Sequence, residues 1–129
     1  MGEKPNHSRY ATNWGVRFLC DCKKCDKEIS IYRGIAQEIS TLGVTLLSDH
    51  QICQQKKVAM QLMIPSLLNG AHQKIIKIIG NSIATIMKEE KFLTEIQFMY
   101  FEENGQKELE KSLYQRFGSS LSVSSAQRA

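Results

Sequence analysis

One isoleucine-rich segment constrains the fold of this chain more than any other feature. Residues 71–90, AHQKIIKIIGNSIATIMKEE, form its most apolar stretch. Isoleucines recur there at spacings of three and four residues, which is typical of one face of an α-helix. Gly80 stands in the middle, where a glycine costs a helix about 1 kcal/mol relative to alanine. We therefore predict a central helix, or a dimer seam, that another helix approaches closely at Gly80.

Similar periodicities predict further helices, so the expected fold class is all-α: a single compact domain of about five helices. Segment 26–43, DKEISIYRGIAQEISTLG, has helical spacing with Asp26 as an N-cap and Gly43 as a stop. Ser48 and Gln51 have the spacing of a capping box, which predicts a helix that is interrupted at Pro65. Segment 106–118, QKELEKSLYQRFG, predicts a helix that ends at Gly118. WGVRFL and VTLL are the other candidates for short strands.

The segment 91–101, KFLTEIQFMYF, fits two structures. Phe92, Ile96 and Met99 follow helical spacing, whereas Phe92, Ile96, Phe98 and Tyr100 alternate as they would in a strand. We favour a helix because the neighbouring sequence offers no second strand to pair with it. The choice between helix and strand stays open at this stage.

Composition divides the 129 residues into three parts. Residues 1–13 are polar and predict a flexible N-terminal tail, residues 14–117 form the helical domain with an N-terminal cysteine cluster, and residues 118–129 predict a serine-rich flexible tail. The start of the chain lacks the apolar run of a signal peptide, and no apolar run reaches the roughly 18 residues of a membrane span. We therefore expect an intracellular protein of the cytoplasm, the nucleus or both, with reduced thiols.

Three of the four cysteines lie in FLCDCKKCDKE, residues 18–28. Cys22 and Cys25 have the spacing of a zinc knuckle, and His50 and Cys53 repeat that spacing. Four such ligands suit a structural, tetrahedral Zn²⁺ ion. Cys20 either replaces His50 in the site or remains a free thiol. Buried structural thiols are the alternative, while a redox C-x-x-C would require a strand–helix–strand unit that we do not find.

Catalytic motifs are missing from this sequence. It has no glycine-rich phosphate loop and no nucleophile elbow. His72 has no identifiable partner for acid–base chemistry. We therefore expect a protein that is not an enzyme and for which no small-molecule substrate is indicated.

Two kinds of binding surface are suggested. Residues 1–87 carry 11 lysines and arginines against 6 acidic residues, and the basic residues cluster near the cysteines. Candidate nucleic-acid contacts are Arg17, Lys23, Lys24, Lys27, Lys56 and Lys57. Candidate partner contacts, on segments with more apolar surface than a small helical core needs, are Ile75, Ile79, Ile83, Phe98 and Phe101.

We expect a regulatory or adaptor protein that acts through helix-mediated protein–protein contact, which includes self-association into a homodimer. We also expect it to carry a structural zinc site. The alternative is a basic, zinc-containing regulator that binds RNA or DNA, in the manner of small viral accessory proteins.

Overall fold

The computed structural model describes residues 9–20, 31–52, 54–66 and 73–128, and its strands form a closed antiparallel barrel. The strand order around the barrel is β1-β2-β3-β6-β5-β4, and β4 pairs with β1 to close it. A helix, α1, follows the last strand. The elements are β1 (Tyr10–Cys20), β2 (Tyr32–Ile39), β3 (Gly43–Ser48), β4 (Lys57–Ile64), β5 (Lys74–Lys88), β6 (Lys91–Phe101) and α1 (Gly105–Arg128).

The all-α prediction is therefore wrong, and the isoleucine-rich segment shows why. It forms β5, in which Ile76 and Ile78 point into the barrel and are 3% and 2% exposed. Ile75 and Ile79 point outward, so the strand is apolar on both faces and loses the polar–apolar alternation that marks most strands. Its β-branched residues, which favour strands, were the signal against a helix.

Within the described ranges, the other helices predicted before residue 105 are strands and turns as well. Segment 91–101 is strand β6 over its whole length. The segment with Asp26 and Gly43 at its ends contains β2, and Gly43 begins β3. The supposed capping box at Ser48 is the end of β3, where the Ser48 hydroxyl donates to the backbone carbonyl of His50 at 2.8 Å. Strand β1 starts at Tyr10, inside the segment predicted as a tail, and contains WGVRFL.

The barrel interior is filled by side chains that alternate along each strand. From β1, the side chains of Trp14, Val16 and Phe18 point into the interior and are at most 5% exposed. Every other strand adds buried side chains, and so does α1. The principal ones are Ala36, Ile39, Val44, Leu46, Val58, Met60, Leu62, Ile64, Ile76, Ile78, Ile96 and Leu109.

Gly80 is required by the close approach of two strands and not of two helices. A Cβ atom built there would lie 2.5 Å from the Ile96 Cγ2 atom and 2.8 Å from the Gln97 carbonyl oxygen, both on β6. Contacts this short are below van der Waals separation, so β5 and β6 can pack at this point only around a glycine.

Helix α1 packs against one end of the barrel. Leu109 and Leu113, which lie one turn apart, are 0% and 3% exposed. The Phe117 ring stacks on Tyr10 with centroids 4.6 Å apart. The helix predicted over residues 106–118 is thus confirmed, but α1 continues past the predicted stop at Gly118 to Arg128. Among the residues that the structure describes, no helix is both long enough and apolar enough to cross a membrane.

Candidate interaction surface

A row of basic side chains crosses the outside of the barrel. The strand register places Arg33 of β2 opposite Arg17 of β1, Arg17 opposite Gln61 of β4, and Gln61 opposite Lys77 of β5. We call these four residues the cationic row. Neighbouring strands lie about 4.8 Å apart, so the row extends about 14 Å across the barrel.

Two apolar rows flank the cationic row. On one side Ile35, Gly15, Met63 and Ile75 lie opposite one another on the same four strands. On the other side Leu19, Ala59 and Ile79 align across β1, β4 and β5, next to Ile31. Ile31, Ile35 and Ile75 are 65%, 42% and 48% exposed. We call the three rows together the binding face, because apolar side chains this exposed are characteristic of interaction sites when they are contiguous.

The charges of the binding face have no partner within the described chain. Arg17, Arg33 and Lys77 form no ion pair with any residue that the structure describes. Some basic groups elsewhere on the barrel are paired. Lys91 contacts Asp49 at 2.7 Å, and Arg9 contacts Glu95 and donates to the Thr45 hydroxyl at 2.9 Å. In the cationic row, by contrast, the three basic side chains lie on neighbouring strands without an ion pair among the described residues.

A groove of about 180 Å³ runs over β1, β4 and β5 within the binding face. Arg17, Gln61 and Lys77 line it together with the apolar side chains of Leu19, Ile31, Ala59 and Ile79, and Glu102 lies at its edge. The Glu102 amide donates to the Lys77 carbonyl oxygen at 3.0 Å, which fixes the start of the connection from β6 to α1 beside the groove. The groove offers a ligand two basic groups, those of Arg17 and Lys77, among apolar side chains.

The predicted nucleic-acid residues are distributed unevenly. Arg17 lies in the cationic row, Lys57 is exposed on the same outer side of β4, and Lys56 directly precedes that strand. Lys23, Lys24 and Lys27 are outside the described residues. The aromatic residues Trp14 and Phe18, which lie near Arg17 in sequence, are buried in the core at 5% and 1% exposure. They therefore cannot take part in base stacking from the surface.

The predicted partner-binding residues occupy different places. Ile75 and Ile79 lie in the two apolar rows of the binding face, whereas Ile83 lies further along β5. Phe98 and Phe101 are half-buried and pack against the core. Their two rings contact each other edge-to-face, with centroids 5.3 Å apart. Sequence reasoning missed Arg33, Gln61 and Lys77. The available signal for Lys77 was its position between two pairs of isoleucines, where a strand would place it on the outer face.

The described residues give the zinc prediction no support. His50 lies after β3 and stacks on Tyr32 with centroids 3.7 Å apart. Burial lowers the pKa of His50, because it disfavours the charged form of the ring. Cys20 ends β1, and Cys22, Cys25 and Cys53 lie outside the described residues. Within the described ranges, no three His, Cys, Asp or Glu side chains stand close enough together to hold a metal ion. His50 lies in the connection that follows β3, where the structure has no helix.

Comparison with known proteins identifies a fold but not a family. No protein-family model matches the sequence, and no curated protein matches it. Among solved structures, the inhibitor of motility (MotI/DgrA) of Bacillus subtilis is similar to this chain with a TM-score of 0.66 and 14% sequence identity. The similarity covers 90% of this chain and 52% of that one, so the chain spans about half the length of its structural neighbour. The barrel with its C-terminal helix is thus a fold found in another protein.

Proposed function

We propose that this protein is a non-enzymatic regulator that binds a segment of a partner protein across the binding face. The partner segment carries acidic side chains interspersed with apolar ones. The observation that carries the proposal is the cationic row, in which Arg17, Arg33 and Lys77 have no ion-pair partner among the described residues and lie between two exposed apolar rows.

The chemistry of the face selects such a partner. Carboxylates suit Arg17 and Arg33, since a guanidinium group donates to a carboxylate in a bidentate manner. Apolar side chains on either side of the carboxylates would cover Ile35, Met63 and Ile75 in one row and Leu19 and Ile79 in the other. The apolar contacts supply affinity, while the charges select the partner and its register.

An acidic protein fits this face better than a nucleic acid does. Nucleic-acid surfaces combine basic groups with aromatic side chains on which bases stack. The three rows of the binding face contain no aromatic side chain, and Trp14 and Phe18 are buried. The exposed Tyr100 of β6 adjoins one apolar row at its end, opposite Ile79, and does not lie beside the arginines. Exposed isoleucines beside the arginines would gain little from contact with a phosphate backbone.

The structural neighbour agrees with a regulatory role without identifying a partner. That protein is named as an inhibitor of motility, which is a regulatory role. At 14% identity, the neighbour supports a regulatory role in general terms and does not indicate which partner this chain binds.

The test measures binding of a defined probe to the full chain. The probe is a fluorescent synthetic peptide in which glutamates are interspersed with leucines, and its reference is the same peptide with glutamines. We expect the acidic peptide to bind and Arg17→Glu to weaken that binding by about tenfold or more, because the variant replaces attraction by repulsion. Arg33→Glu should have a similar effect.

The matched control is Lys107→Glu, which makes the same change in net charge at an exposed position of α1 away from the binding face. It should leave peptide affinity nearly unchanged. If Arg17→Glu and Lys107→Glu lowered peptide affinity equally, net charge alone would explain the effect, and this result would contradict the proposal. Tighter binding of a single-stranded oligonucleotide than of the acidic peptide, with a steep dependence on salt, would favour nucleic acid instead.

A further inference from the structure

The far end of β5 has an unpaired edge. Its ladder with β4 ends at the pair of Asn81 with Lys57. The Ser82 backbone makes two further contacts: its amide donates to the Lys56 carbonyl oxygen at 2.9 Å, and its carbonyl oxygen accepts from the Gln55 amide at 2.8 Å. Pairing with β6 continues to Lys88 and Lys91. The strands between Ile83 and Lys91 thus form a hairpin that extends beyond β4, and on its open side no described strand pairs with β5.

Backbone groups on the open edge are available for a new strand. Glu89 and Glu90 form a two-residue turn, so Lys88 and Lys91 on either side of it are hydrogen-bonded to each other. Backbone groups alternate in direction along an antiparallel strand, so those of Ile86 and Ala84 also point toward β6. The amides and carbonyls of Thr85 and Met87 therefore face the open side. The Thr85 hydroxyl donates to the Ile52 carbonyl oxygen at 3.1 Å and lies 3.2 Å from the hydroxyl oxygen of the buried Thr94, so it belongs to the inner face of the sheet.

The side chains along this edge are apolar and exposed. Ile83, Ile86 and Met87 are 41%, 61% and 67% exposed, and Ala84 is exposed as well. Strand edges of this kind are usually protected by charged residues or proline, because they pair readily with another strand. Between Ile83 and Met87 the edge of β5 has neither.

A second copy of the same edge is complementary to it. If two β5 strands lie antiparallel with Ile86 opposite Ile86 on a two-fold axis, Thr85 of each copy lies opposite Met87 of the other. These two pairs supply four backbone hydrogen bonds, since both residues face the open side. Ile86 of each copy would then contact Ile86 of the other, and Leu93, the cross-strand neighbour of Ile86 on β6, would extend this apolar row by one residue on each side.

The charges favour the same arrangement. In this register Lys88 of one copy lies opposite Ala84 of the other, so the Glu89–Glu90 turn comes against the segment from Gln55 to Lys57. Lys56 is half-buried and Lys57 is exposed there, which places two acidic residues beside two basic ones on each side of the axis. No like charges are brought directly opposite each other.

We infer that the protein forms a two-fold homodimer by antiparallel pairing of the β5 edges between Ala84 and Lys88, through backbone hydrogen bonds centred on Ile86. This surface lies beyond the binding face, so the dimer could carry two binding faces at once. The inference stands independently of the partner proposed above.

The test uses opposite charges at the two-fold axis. Sedimentation velocity of the full chain over a range of concentrations should show a monomer–dimer equilibrium. Ile86→Lys and Ile86→Glu should each be monomeric, because each would place like charges side by side at the axis. An equimolar mixture of the two variants should restore the dimer as a heterodimer, which native mass spectrometry distinguishes when one variant is isotopically labelled.

The control is Ile35→Lys, an equally non-conservative change at an exposed isoleucine of the binding face, and it should leave the dimer intact. Met87→Pro provides a second variant, because it removes an amide that faces the open edge without removing a bond to β6; it should abolish the dimer. Circular dichroism checks that each variant is folded. A wild-type protein that stays monomeric at millimolar concentration would overturn the inference, and so would a dimer that persists in both Ile86 variants or a mixture that fails to associate.

Discussion

Replacing Gly80 by alanine distinguishes the barrel from a helical fold by the sign of its effect on stability. In a helix the substitution would stabilise the protein by about 1 kcal/mol, because alanine is the better helix former. In the barrel the new methyl group would lie 2.5 Å from Ile96 Cγ2 and 2.8 Å from the Gln97 carbonyl oxygen. The second contact is with the backbone, which cannot rotate away, so β5 and β6 must separate locally.

Overpacking of this kind costs about 1–3 kcal/mol. For a chain of this size each kcal/mol corresponds to a change of about 3–5 °C in Tm. We therefore expect Gly80→Ala to lower Tm by about 3–15 °C, measured by circular dichroism, and to lower the urea midpoint by a corresponding amount with an unchanged m-value.

Gly15→Ala is the matched control in the same barrel. There the new methyl group would meet only the Met63 Cε atom, at 3.1 Å, and the end of a flexible side chain can move away. The control should change stability by less than about 1 kcal/mol, since the cost of the displacement is offset by the reduced freedom of the unfolded chain. The reasoning fails if Gly80→Ala is as stable as the wild type, or more stable, or if both alanine variants lose the same free energy.

Two other predictions concern the ends of the barrel. Leu109→Ala should lower the free energy of unfolding by about 2–5 kcal/mol in urea titrations, because it leaves a cavity under α1. Lys107→Ala, on the exposed side of α1, should change the free energy of unfolding by less than about 0.5 kcal/mol. Similar values for the two variants would mean that α1 does not pack on the core. At the opposite end, the pKa of His50 is lower in the folded protein than in the unfolded chain, so the unfolded chain binds the proton more readily. Stability should therefore be complete above about pH 6.5 and fall as the pH drops through that value. His50→Phe keeps a ring against Tyr32 and should show a smaller loss between about pH 7.5 and about pH 5.5, and an identical pH profile in both proteins would contradict this assignment.

The binding face could be predicted from the sequence only in part. Arg17, Ile75 and Ile79 were named as candidate contacts because they belong to basic or apolar segments. Arg33 and Lys77 stand alone in sequence, and nothing local connects them with Arg17. They share a row only because β2, β1, β4 and β5 pair in one particular register.

The sequence by itself determined only structure that depends on neighbouring residues. The spacing of Leu109, Leu113 and Phe117 predicted a helix correctly, because a helix is stabilised between residues three or four positions apart and one apolar stripe is sufficient evidence. The strands were decided by contacts that are distant in sequence. A strand such as β5, with isoleucines inside the barrel and isoleucines outside it, has no contrast between its faces, and its spacings match a helix equally well. Only the pairing with β4 and β6 determines which isoleucines fill the core, which flank the cationic row and which remain on an open edge.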